Sequence, residues 1–132
     1  MKLSAFAIIT TILAVGFGLA FLFIPVKLAE FYGVTIDAGG IYVARYFGGA
    51  NIFLGLIFWS YSSVSPTAKS WPKLLLYNLI YDIIQLVVTL MAVLDKQTNS
   101  MGWTTVALFV LLAIGSVYYL GQCNRARAAQ SN

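Results

Sequence analysis

The sequence predicts an all-α polytopic membrane protein, a four-transmembrane-helix bundle with a short interfacial helix after the first span. Three observations predict it. The 132 residues are 61% hydrophobic and 9% charged, with a mean hydropathy of +0.87. Soluble domains carry about 25% charged residues, and a soluble chain this apolar would have too little polar surface to cover its core. The apolar residues fall into four runs, each long enough at about 1.5 Å per residue to cross a hydrocarbon core of about 30 Å. Pro25, Gly39–Gly40, Ser65–Pro66, Pro72 and Asn99–Ser100 punctuate the gaps between them.

The predicted spans are Ser4–Ile24, Ile41–Tyr61, Lys73–Leu94 and Gly102–Gly121. Backbone groups in lipid must pair within the segment, and no alternating pattern suggests a barrel, so each run is a helix. The first run follows Lys2 and contains the small-x-small sequence Gly18-Leu19-Ala20, as a signal peptide does. It continues unbroken to Ile24, which favours a retained helix. Between the first two spans, "PVKLAEFYGV" places a proline where a helix starts and Gly33 where it stops. Val26, Leu28, Ala29, Phe31 and Tyr32 alternate with Lys27 and Glu30, so this stretch is expected to lie as a short amphipathic helix at the membrane surface.

Positive residues set the orientation. Lys2, Lys69, Lys73, Arg125 and Arg127 fall on one side of a four-span arrangement. Lys27 and Lys96 fall on the other, beside Glu30, Asp37 and Asp95. The positive-inside rule places both termini in the cytoplasm of a multi-pass plasma-membrane (inner-membrane) protein. Trp59, Tyr61 and Trp71 are then expected at the inner interface, and Tyr42 and Trp103 at the outer one. The net charge of +4 is spread over segment ends with no basic stripe, which speaks against nucleic acid as a partner. The expected partners are the lipid bilayer and other membrane subunits, or a second copy of the chain.

The informative residues are the polar ones inside the spans. Asn78, Asp82 and Gln85 recur at i, i+4 and i+7 and share one helical face, with Tyr81 beside it. A charged group at mid-membrane costs about 2.5–3.5 kcal/mol on insertion scales, so this face is expected to point inward. Ala44, Gly48, Asn51 and Gly55 form a matching stripe on the second span, where small residues permit close helix approach. By helix rise, Asn51 lies about 15 Å from one face and Asp82 about 13–14 Å from the other. The two stripes are thus expected to zip together, Asn51 facing Asp82, Gln85 level with Gly48, and Asn78 level with Gly55. Arg45, about 6 Å inside the boundary by the same rise, either snorkels outward or turns toward Gln85 and Asp82. Asp82 itself either fastens two helices or carries a proton; both readings stand at this point.

Elsewhere polar groups are sparse. Thr104, Thr105 and Ser116 in the fourth span are expected to bond back to their own helix. Gly115 permits one close approach there, and Gly16 with Ala20 forms a small-x3-small pair in the first span. Histidine is absent and Cys123 is the one cysteine, so the commonest metal and haem ligands are missing and no intramolecular disulfide exists. There is no nucleophile beside a base, no phosphate loop and no metal cluster. No catalytic residue and no cofactor is expected.

The succession "FIPVKLAEFYGV", "ARYFGGANIFLGLIFW" and "GWTTVALFVLLAIGSVYYL" resembles small bacterial four-helix membrane proteins of the DoxX-like kind. The resemblance implies a bacterial inner membrane and a place beside a quinone-linked oxidoreductase. The leading functional expectation is a non-catalytic membrane subunit that scaffolds or completes a larger assembly. One alternative is a small oligomeric transporter or channel with Asp82, Asn51 and Arg45 along its path. The other is a membrane subunit of a quinone-linked enzyme.

Overall fold

The computed structural model describes residues 2–65 and 67–130, apart from the side chains of Arg127 and Gln130. Pro66, expected in the break after the second span, and the Arg127 side chain, expected among the positive groups, lie outside the described residues. Five helices follow one another: α1 (Leu3–Phe23), α2 (Pro25–Phe31), α3 (Ala38–Ser62), α4 (Trp71–Leu94) and α5 (Gly102–Gln130). The four long ones have the length and composition to cross a membrane, and α2 is the expected short helix.

Local chemistry explains where the boundaries moved. Gly39 and Gly40 do not interrupt the chain but form the first turn of α3, because Asp37 caps it: its Oδ1 accepts from the Gly40 N–H at 2.7 Å. Pro72 likewise sits in the first turn of α4, where its missing N–H leaves nothing unpaired. α5 runs past Gly121 to Gln130. Pro25 opens α2. Gly33, at φ 73°, follows its end, with the Val34 N–H returning to the Ala29 carbonyl at 2.9 Å. α4 ends in the same way, the Gln97 N–H bonding Ala92 at 2.9 Å, but Lys96 takes the left-handed position at φ 56°.

The helices pack as two hairpins. α1 pairs with α3 through the turn that carries α2, and α4 pairs with α5. The α1–α3 contact is backbone-close and antiparallel. A Cβ added to Gly48 would lie 2.6 Å from the Gly18 carbonyl oxygen, and one on Gly55 would lie 2.6 Å from Val15 Cγ2. Thr11 Oγ1 donates across the seam to the Gly55 carbonyl at 3.1 Å and within α1 to Ala7 at 2.9 Å. The small stripe Gly48–Gly55 therefore meets α1; the pairing with α4 that the sequence suggests does not form. Its partner on α1 is Gly18, whereas Gly16 faces open space. No Cα atom of α3 comes within 8 Å of one in α4. A short connector brings α3 and α4 together in sequence, but the stripe's tight fit against α1 takes the face that α4 would have used.

A packed core closes the end that holds the N-terminus of α1. Leu3, Phe6, Ala7, Phe58, Trp71, Leu75, Tyr119 and Cys123 form it, drawn from all four spans. Phe6 of α1 reaches α5, stacking 5.2 Å from Tyr119 and filling the space that Gly115 leaves empty. Trp71 is fully buried, its ring 5.1 Å from Tyr61. It is a core residue and not the expected interfacial anchor. Trp59, Trp103 and Tyr42 are exposed as an aromatic belt requires.

Candidate functional site

Above this core the two hairpins separate and leave a half-open cavity of about 260 Å³ between them. It extends along α4 from Asn78 to Ala92, about 21 Å at 1.5 Å per residue. Phe17 and Phe21 of α1, Phe47 of α3, and Leu108 and Phe109 of α5 line its apolar walls. At the far end α2 is tied to the α4–α5 turn. The Asn99 N–H donates to the Tyr32 carbonyl at 2.8 Å, Asn99 Nδ2 donates to Phe31 at 2.9 Å, and the Tyr32 and Thr105 hydroxyls meet at 2.9 Å. Between α3 and α4 the backbones stay apart, and among the described residues one hydrogen bond bridges that seam: Tyr81 Oη donates to Asn51 Oδ1 at 3.1 Å.

The polar stripe of α4 points into this space as its spacing predicts, but its partners differ. Asp82, 1% exposed, accepts through Oδ2 from Asn78 Nδ2 at 2.7 Å. Asn78 Nδ2 also donates to Ser116 Oγ at 3.0 Å, and Ser116 Oγ makes a long 3.4 Å contact to the same carboxylate oxygen. The carboxylate is held by α4 and α5 together. Asn51 does not face Asp82; its Nδ2 bonds back to Phe47 at 3.0 Å and its carbonyl takes the Tyr81 hydroxyl. Gln85 and Asn78 both line the cavity. Ala44 and Arg45 do not: Arg45 is exposed and borders a separate surface groove with Tyr46, Gly49, Ala50 and Phe53.

Three hydroxyls depart from what the sequence suggests: Thr105, expected to bond back to its own helix, lines the cavity and meets the Tyr32 hydroxyl. Ser116, also expected to bond to its own helix, completes the Asp82 cluster with its hydroxyl. Thr10, 4% exposed, lines the cavity with an Oγ1 that has no hydrogen-bond partner. None of the three carries a signal in sequence beyond a hydroxyl in an apolar run, a pattern that usually means back-bonding. Among the described residues, no three His, Cys, Asp or Glu side chains gather to hold a metal.

Comparison with known proteins finds no matching family model, no matching curated protein and no matching solved structure. The functional reading rests on the site itself. What the site offers is an apolar, chain-shaped space inside a membrane domain, with one buried carboxyl and several hydrogen-bonding groups gathered near the end that adjoins the packed core.

Proposed function

We propose that this is a non-catalytic membrane protein that holds an apolar small molecule between its two helix pairs. The carrying observation is the cavity: well-packed interiors leave few voids larger than a water molecule, and this one is about 260 Å³ with a polar cluster at one end. Ligand pockets are mostly apolar with a few convergent polar groups, and they occur between the helices of bundles. The α3–α4 seam supplies a route from the lipid, because the two backbones nowhere approach closely and the Tyr81–Asn51 bond is the link between them at this depth. Native mass spectrometry of the full chain extracted in mild detergent tests this. The expected result is an apolar adduct that weakens or disappears in Ala92→Phe, a substitution that fills the far end of the cavity. A bare protein mass with no difference between wild type and variant would sink it.

A second reading, a subunit of a larger membrane assembly, is supported by the outward face of α3. A lipid-facing arginine is costly, and small residues admit another helix; Arg45 beside Gly49 and Ala50 offers both. The mass and composition of the extracted particle test it: a fixed ratio to other chains supports it, and a particle of this chain alone does not. For location, we propose a bacterial inner membrane with both chain ends in the cytoplasm. Exposed Lys2, Lys69, Lys73 and Arg125 on the N-terminal side support that orientation.

A further inference from the structure

We propose that the occupant of the cavity is a lipophilic amine: one aliphatic or aryl chain ending in a single ammonium group, which pairs with Asp82. This rests on the cavity being a ligand site, as proposed above, and names the chemical class it accepts.

Charge is the first ground. Asp82 is the one charged side-chain type lining the cavity, and no lysine, arginine or glutamate faces it. The nearest intramembrane base, Arg45, borders a different groove. A buried carboxylate requires a partner charge or a proton, and among the described residues none supplies a cation to the cavity.

Unfilled hydrogen-bonding capacity is the second. Both bonds to the Asp82 carboxylate end on Oδ2; none to Oδ1 is seen among the described residues. Thr10 Oγ1 is buried on the cavity wall without a partner. Gln85, one turn along α4, adds an amide oxygen to the same lining. An ammonium has three N–H donors and no acceptor, and Asp82 Oδ1, the Thr10 hydroxyl oxygen and the Gln85 amide oxygen can each accept one.

The walls are the third. Phe17, Phe21, Phe47, Phe109, Tyr81 and Tyr32 line the space, and aromatic faces attract cations while also suiting a hydrocarbon tail. From Asp82 to Ala92 the cavity runs ten residues of α4, about 15 Å, room for a chain of about a dozen carbons laid straight.

The carboxyl proton and the ammonium compete for one site, so a bound cation leaves the carboxyl deprotonated and its proton in water. Binding therefore weakens as pH falls. No cavity-lining residue on α1, α3 or α5 titrates; on α4 Tyr81 does, and Tyr32 stands at the far end.

The probe is tritiated dodecylamine, protonated throughout that range as a lysine side chain is. Its saturable binding is read by scintillation proximity on the full chain in nanodiscs of uncharged lipid, with empty nanodiscs subtracted. Unlabelled dodecanol and dodecanoate serve as competitors. The expected result is one site per chain, with affinity rising from pH 5 to 8. Asp82→Asn should lose on the order of thirtyfold in affinity, the penalty for removing one member of a buried charge pair, while Asp82→Glu keeps the site. Dodecanol should not compete. If dodecanol displaces the amine equally and Asp82→Asn binds as wild type does, the cavity reading stands and the amine is overturned. If none of the three chains binds saturably, and Ala92→Phe behaves as wild type with all of them, the cavity reading falls with it. Size-exclusion elution and far-UV circular dichroism separate a misfolded variant from one that has lost binding.

Discussion

The two ends of this bundle are built on opposite principles. At the N-terminal end, side chains from all four spans meet in a dense cluster around Phe58, Trp71 and Leu75. Further along the same helices the hairpins part, and the polar residues gather around empty space. Lipid tails are as apolar as leucine, so burying hydrocarbon inside the bundle gains little over leaving it in the membrane. Close packing has to be the reason for association, and the first end supplies it. The second end forgoes that packing, which is why the void there reads as a place for something to bind.

Substitutions test that contrast. The largest effect is expected at the packed end. Phe58→Ala removes a fully buried ring and should lower stability by about 3–5 kcal/mol, read by unfolding in mixed micelles; a loss below about 1 kcal/mol would mean that this end is not the core. Next, Gly48→Ala should cost about 1–3 kcal/mol, because the new methyl would press on the Gly18 carbonyl. Its neighbour Gly49 has open space around it, and Gly49→Ala should instead add about 0.5–1 kcal/mol of helix stability. Equal effects at the two glycines would break the assignment of the α1–α3 seam.

Asp82→Leu should cost about 1–3 kcal/mol by stranding buried Asn78 Nδ2 with Ser116 as its one remaining partner. Asp82→Asn, which keeps an acceptor oxygen, should cost less than about 1 kcal/mol by the same reasoning. If Asp82→Leu left both stability and ligand binding intact, neither a structural nor a binding role for this acid would survive. The smallest effect belongs to the α4–α5 turn that closes the far end of the cavity. Lys96→Gly should stabilise the α4–α5 connection by up to about 1 kcal/mol, since the residue sits at φ 56° where a side chain is strained. No gain in thermal midpoint would show that contacts of the lysine offset the strain.

Much of the fold was legible because the bilayer simplifies the problem. Run length and punctuation place the spans, Pro25 and Gly33 bracket α2, and the i, i+4, i+7 spacing correctly turns Asn78, Asp82 and Gln85 inward. Helix pairing was not legible. Gly48 and Gly55 announce a close contact but do not say with whom, and depth matching fits α4 as well as α1. Gly18, the residue that answers Gly48, was hidden in a motif that reads as a cleavage site.

By itself, then, the sequence determines an all-helical membrane chain of four spans and a surface helix, with one acid turned toward the interior. Those follow from hydropathy and helical period, which are local properties. The tertiary structure alone decides that α1 takes α3 and α4 takes α5, that Asp82 is answered by Asn78 and Ser116, that Tyr81 reaches Asn51, and that Arg45 faces outward. Those depend on which of several equally apolar faces interlock at backbone distance, and a missing side chain on Gly18 or Gly48 settles that choice only when both helices are in place.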